Sequence, residues 1–147
     1  MIYWDTSAIL PLYVEEASSA YWESILTAME GVPRGSQLAA TEFGYALHHK
    51  LLQGALGPEA VVALAAKFAT DCESGNWALC PLGSDVIAAS LEILDHFQDL
   101  TNPLFLRSLD GLHLGAARVQ GCDTVATGDL RMQRAAEGLG IRVLFPD

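Results

Sequence analysis

Positive charge is scarce in this chain. Eight lysines and arginines face 18 aspartates and glutamates, a net charge of −10. Proteins that hold nucleic acid along an extended surface are basic, so a broad basic groove is excluded and any nucleic-acid contact must be local or shared with a basic partner. Cysteine is almost as rare. Cys72, Cys80 and Cys122 are odd in number, far apart and set among apolar neighbours, which excludes a disulfide frame or a zinc cluster and predicts reduced core thiols in a cytoplasmic protein. No apolar run approaches the roughly 20 residues of a bilayer span. The first residues also lack a basic stretch leading into an apolar one, because Asp5 interrupts them, so neither a membrane span nor a signal peptide is expected. Internal repeats and low-complexity linkers are missing too. What remains is a chain of 147 residues, 51% hydrophobic, with a mean hydropathy of +0.27. That predicts a single domain over residues 1–147 with a core of its own.

The opening decapeptide organises the rest. Ile2-Tyr3-Trp4 is a β-branched and aromatic run that stops on Asp5-Thr6-Ser7. This predicts a buried strand, then a helix resuming at Ala8 with Thr6 or Ser7 as its N-cap. Ligands of open α/β sheets sit past the carboxyl ends of the strands, where Asp5 stands. Capping that helix is the other role open to it.

Pro11 to Glu16 breaks the pattern. A helix follows from Ala17 to Met29, then a short extended segment around Arg34 to Gln37. Leu38 to Leu56 reads as a strong helix. Inside it Glu42 shares a face with Leu38, Ala39, Tyr45 and Ala46, and Lys50 lies too far along to be its local partner. A carboxylate among apolar neighbours needs a partner or a cation, unless it reaches solvent at the margin. Pro58 to Cys72 is a further helix, with proline at the favoured first position. Trp77 to Leu82 is a second strand candidate. Ser84-Asp85 is expected to cap a helix from Val86 to Leu100, whose apolar side is Ile87, Leu91, Leu94 and Phe97. Its other side, Glu92, Asp95 and Asp99, reads as a solvated face rather than a metal cluster.

Thr101 to Leu106 is a loop, and Ser108 is a plausible cap for the helix to Val119. Asp110 falls in its first turn, where the helix dipole alone would favour an anion. His113 lies over the same face, and a lone histidine there is more often a hydrogen-bonded core residue than a ligand. Gly111, Gly115 and Ala116-Ala117 make this helix thin, which suits packing on a sheet. Asp123 to Asp129 repeats the opening logic of β-rich run, hydroxyl and carboxylate, with Gly128 permitting a bend. Leu130 to Leu139 is the next helix, and Ile141 to Phe145 the last strand. Alternating strands and helices predict a parallel sheet covered on both faces.

Asp5 and Asp129 after strands, Asp110 at a helix start and Glu42 on a helix face form a four-acid set. Hard cations such as Mg2+ or Mn2+ take oxygen ligands and keep several waters. Such a site activates water and neutralises charge growing on a phosphodiester.

The D-T-S after the first strand, Glu42, D-G-L-H-L-G-A-A and T-G-D-L-R-M-Q-R-A-A-E-G-L-G-I resemble the four acidic motifs of PIN domains. The resemblance runs over the whole chain and is closest to VapC-type toxins of toxin–antitoxin pairs. It implies a PIN-like three-layer α/β fold with a parallel five-stranded sheet of order 3-2-1-4-5, bringing Asp5 and Asp129 together. It also implies a Mg2+- or Mn2+-dependent endoribonuclease leaving a 5′-phosphate, a homodimer, and a small VapB-like antitoxin that covers the site. By motif, Asp5, Glu42, Asp110 and Asp129 are the catalytic and metal-binding acids, with Ser7 and Thr127 as supporting hydroxyls. Arg131 and Arg134, three apart on one helix, are the cations available for phosphate near Asp129. Gly128 departs from the larger residue many relatives carry, which loosens that loop. Few cations also leave little to grip a long RNA, favouring a small structured target or a short single strand.

Two other functions fit parts of this pattern. A catalytically weak PIN-like module would bind an antitoxin or RNA without cutting. A phosphotransfer receiver domain clusters acids similarly, but the lysine it needs after a late strand is absent.

Overall fold

Five segments, each only three residues long, pair into one parallel sheet in the computed structural model, which describes residues 1–98 and 103–146. They are β1 (Ile2–Trp4), β2 (Arg34–Ser36), β3 (Ala78–Cys80), β4 (Thr124–Ala126) and β5 (Arg142–Leu144), in the order β3-β2-β1-β4-β5. The register sets Trp4 beside Ala126 and Gly35 beside Leu79. Among the described residues the sheet is covered by α1 (Thr6–Ile9), α2 (Ser19–Ala28), α3 (Gln37–Leu52), α4 (Pro58–Glu73), α5 (Ser84–Phe97), α6 (Ser108–Val119) and α7 (Leu130–Gly138). The expected three-layer α/β architecture and strand order are thus present.

Alternation along β1 divides the interior. Side chains of a strand point to opposite faces in turn, and Tyr3 and Trp4 are both fully buried, on opposite sides of the sheet. Trp4 packs with Ile9, Trp22, Phe43, Phe68 and Trp77 under α1 to α4. Tyr3 packs with Val86, Ile93, Leu114 and Met132 under α5 to α7. No helix among the described residues is long and apolar enough to cross a membrane.

Several local expectations need correction. The helix expected over Leu38 to Leu56 stops at Leu52: Gly54 takes a left-handed φ of +72°, and the Ala55 and Leu56 amides donate back to the Lys50 carbonyl. Glycine at that position is the usual helix stop. On α5 the buried residues are Val86, Ala89, Ile93 and Phe97, whereas Ile87, Leu91 and Leu94 are 41–57% exposed. The helix is apolar on two sides, and the inward one is chosen by α6. A Cβ at Gly115 would stand 2.7 Å from the Val86 carbonyl oxygen, and one at Gly111 would touch Ser90 Oγ at 3.0 Å. The two glycines of α6 are therefore spent on α5, while Ala116 and Ala117 of the same helix pack as expected into the core beneath the sheet. Neither Ser108 nor Ser84 caps its helix; the N-cap positions are Arg107 and Gly83, without side-chain cap bonds, although Asp85 accepts from the Val86 amide at 2.9 Å. Glu92 and Asp95 are exposed as expected, while Asp99 lies outside the described residues.

Candidate active site

All four acids reach one cleft of about 320 Å3 beyond the carboxyl ends of β1 and β4. Asp5 is the N-cap of α1, its Oδ1 accepting from the Ala8 amide at 3.1 Å. The cap role belongs to Asp5 itself, not to Thr6 or Ser7. Asp129 repeats this at α7, its Oδ1 accepting from the Arg131 amide at 2.8 Å. Helix N-termini stabilise such anions. Capping and a place in the site are therefore the same position.

Two hydroxyls tie these acids together. Ser7 Oγ donates to Asp5 Oδ1 and Thr127 Oγ1 to Asp5 Oδ2, each at 2.5 Å. Ser7 Oγ in turn accepts from the Gly128 amide at 2.7 Å, and Thr127 Oγ1 from the Asp129 amide at 3.0 Å. Gly128 has no positive φ, and a Cβ there would meet Ser7 only at 3.5 Å, ordinary contact distance. The loop does not depend on glycine, and three hydrogen bonds hold it closed rather than loose.

Glu42 lies at the edge of its face, three-quarters covered, while Tyr45 and His49 of the same helix stand exposed at the cleft mouth. Glu42 Oε2 accepts from Thr6 Oγ1 and from His113 Nε2, the latter at 2.7 Å. His113 Nδ1 meets the Tyr3 hydroxyl at 2.7 Å. The sequence offered His113 as a hydrogen-bonded core residue, which it is, but did not place it on Glu42; its spacing of three from Asp110 was the available signal. Lys50, as expected, is not Glu42's partner, and pairs with Glu16. Arg131 lies beside Asp129, with Nη2 3.5 Å from Oδ2, and Arg134 is exposed one turn on.

The electrostatics separate the acids. Burial pushes the Asp5 carboxyl above the ordinary range, opposed by the nearby His113 and by its hydrogen-bond donors. Burial and the Asp129 charge do the same to Asp110. Glu42 is also penalised by burial, yet the His113 bond and charge and the Thr6 hydroxyl hold it below the usual value. Burial would keep His113 neutral, but Glu42, Asp5 and Asp110 outweigh it and raise its pKa.

Asp110 Oδ2 is buried and, among the described residues, has no hydrogen-bond partner. An orphaned carboxylate oxygen beside another acid is the kind of donor a hard cation satisfies. Among the described residues no three acid, histidine or cysteine side chains converge closely enough to hold a metal ion by themselves. The donor set therefore suits a cation held by one or two carboxylates and water, as Mg2+ commonly is.

A family model described as PIN domain matches residues 2–138. No curated protein matches the chain by sequence. Solved structures share its fold at low identity. VapC20 of Mycobacterium tuberculosis, a sarcin–ricin loop cleaving toxin, is 18% identical with a TM-score of 0.69, over 92% of this chain and 95% of that one. VapBC2 of Rickettsia felis, bound to a promoter DNA fragment, is 14% identical with a TM-score of 0.69, over 100% of both chains. DNA-bound VapBC of Salmonella typhimurium is 17% identical with a TM-score of 0.66, over 98% and 96%.

Proposed function

The chain belongs to the PIN domain family, and from that premise we propose that it is a Mg2+- or Mn2+-dependent endoribonuclease toxin held in check by a small VapB-like antitoxin. The observation that carries this reading is the convergence of Asp5, Glu42, Asp110 and Asp129 on one cleft, with Asp110 Oδ2 buried and unpaired.

Asp5, Glu42, Asp110 and Asp129 would hold the cation, directly or through water. Ser7 and Thr127 keep Asp5 fixed from both oxygens. A bound divalent cation supplies Lewis acidity, offsetting charge on the phosphodiester and making water a better nucleophile. Water attacks phosphorus in line, the P–O3′ bond breaks, and the proton passes to the leaving 3′ oxygen, leaving a 5′-phosphate. Arg134, and Arg131 where it leaves Asp129, hold the flanking phosphate. With so few cations the RNA grip is short, so its salt dependence is shallow: about −1.4 in log–log slope for two phosphate contacts on a single strand. A small structured RNA, such as the sarcin–ricin loop cut by the mycobacterial neighbour, fits that limit.

The antitoxin is the basic partner that the acid excess calls for. A cationic side chain entering the four-acid cleft would displace the metal and gain a charge-assisted contact. The chain acts in the cytoplasm as a homodimer, and the exposed Ile87, Leu91 and Leu94 stripe is the apolar surface that a second copy would cover.

A second reading, a PIN-like module that binds antitoxin or RNA without cutting, is favoured by one observation: Asp5 and Glu42 already spend oxygens on protein donors. Incubating purified protein with total RNA, with and without Mn2+, and mapping the ends decides between them. New 5′-phosphate ends only with metal support the nuclease; metal binding without cleavage supports the module.

A further inference from the structure

His113 has no part in the reaction described above, yet both of its ring nitrogens are engaged inside the site. We propose that His113 is a positioning residue which, locked by Tyr3, orients Glu42 toward the cation; this rests on the nuclease reading of the cleft.

Three segments remote in sequence meet here. Tyr3 comes from β1, Glu42 from α3 and His113 from α6. Tyr3 is fully buried and His113 is 4% exposed, so neither bond can be exchanged for bulk water. Nδ1 bonds the Tyr3 hydroxyl and Nε2 faces Glu42 Oε2, each at 2.7 Å, so the ring is held from both sides. An Nε2–H donates to Glu42 in the Nε2-protonated neutral ring and in the imidazolium alike.

The rings also meet edge to face, with centroids 5.9 Å apart and planes at 68°, so the imidazole cannot turn without displacing Tyr3. Thr6 donates to the same carboxylate oxygen as His113. Both donors therefore take Oε2 and leave Oε1 for a ligand. A carboxylate on a long side chain that is one-quarter exposed has several rotamers, and these two donors select one. Asp110 and His113 are three residues apart on α6, which is pinned to α5 by its close contact at Gly115. The acid with the orphaned oxygen and the histidine that aims Glu42 are thus carried by one rigid helix turn. Supporting donors of this kind set how well a carboxylate binds its metal.

The test uses the whole chain, with Mn2+ affinity read from the free-ion electron paramagnetic resonance signal and metal-free melting recorded beside it. His113→Leu should weaken Mn2+ binding about 10- to 100-fold, the scale of a lost supporting contact at a metal site. His113→Gln, which keeps a donor, should recover part of that loss. Tyr3→Phe should weaken Mn2+ binding to a lesser degree and add nothing in the His113→Leu background, as coupled residues do in a double-mutant cycle. Should His113→Leu fail to fold, Tyr3→Phe, which removes one buried oxygen and keeps the ring, carries the test. Wild-type Mn2+ affinity in Tyr3→Phe and His113→Leu overturns the proposal and leaves the nuclease reading standing. Wild-type protein that binds no Mn2+ overturns both.

Discussion

Asp110 and Asp71 stand at opposite ends of the sheet, each beside a cleft of about 300 Å3, and they are built in opposite ways. At the amino ends of β2 and β3, Asp71 Oδ2 accepts from the Tyr13 hydroxyl at 2.7 Å and from Lys67 at 3.1 Å, and Oδ1 accepts from Asn76 at 3.2 Å. Trp77 Nε1 closes the network by donating to Tyr13 at 2.9 Å. The Tyr13 bond foremost holds the Asp71 carboxyl below its usual range. At the carboxyl edge, Asp110 keeps a buried oxygen with no donor, and burial holds its carboxyl above that range. An acid whose partners are all supplied by the fold is already used up. An acid left short of partners, in a cleft, is the one with affinity to offer.

Removing the two acids should separate them most sharply in turnover. Asp110→Asn should lower RNA cleavage by at least about 100-fold, since even supporting residues of a metal site reach that scale, whereas Asp71→Asn should leave the rate per folded molecule within about two-fold. Equal losses would erase the distinction. The next effect is on stability with metal. At a Mn2+ concentration 100 times its dissociation constant, wild type and Asp71→Asn should gain about 2.7 kcal/mol, seen as a rise in melting temperature that Asp110→Asn lacks.

Without metal the signs invert. A raised folded pKa means the ionised acid opposes folding, so Asp110→Asn should raise the melting temperature, by roughly 2–4 °C per kcal/mol at this chain length. Asp71→Asn should lower it. The pH dependence follows from the same shifts. Asp71 contributes stability above its unfolded pKa of about 3.9, and this is lost as pH falls through the lower folded value. Asp110 costs stability at neutral pH, and the cost is relieved as pH falls through its raised folded value. Melting curves from pH 7 to 3 should therefore show a steep acid limb that flattens in Asp71→Asn, and a gain on mild acidification that shrinks in Asp110→Asn, the remainder coming from Asp5 and His113, whose pKa values are also raised. The smallest effects belong to acids on neither network. Glu92→Gln with Asp95→Asn, on the exposed face of α5, should leave cleavage within a few-fold, and Gly128→Ala should do the same.

Much of this contrast could be read in the chain, and the part that could not has a common cause. Strands and helices were legible because short apolar runs alternate with amphipathic segments, and Asp5, Asp110 and Asp129 because each stands just after a strand or in a first helical turn. The sheet order came with the resemblance to PIN domains, whereas Glu42 stood out by helical spacing as a carboxylate among apolar neighbours. The inward side of α5 was not legible. Its residues are apolar on two sides, and the choice was made by Gly111 and Gly115 on another helix. His113 was hidden for the same reason, since its partners Tyr3 and Glu42 lie 110 and 71 positions away. Spacing reports neighbours along one helix, whereas a hydrogen bond between elements shows only once the elements are placed.

The bond from Thr127 to Asp5 joins residues 122 positions apart, and this orders events while the chain is being made. At roughly 5–20 residues per second, translation needs on the order of 6–24 s to pass from one to the other. Throughout that interval β1 lacks its β4 neighbour, α7 and Asp129 do not yet exist, and Asp5 is held only by Ser7 and the start of α1. A nascent chain is therefore a set of separated acids and not a cutting edge. On the nuclease reading, cleavage waits until the β4–α7 segment has emerged and paired with β1, a delay in which an antitoxin already present could bind first.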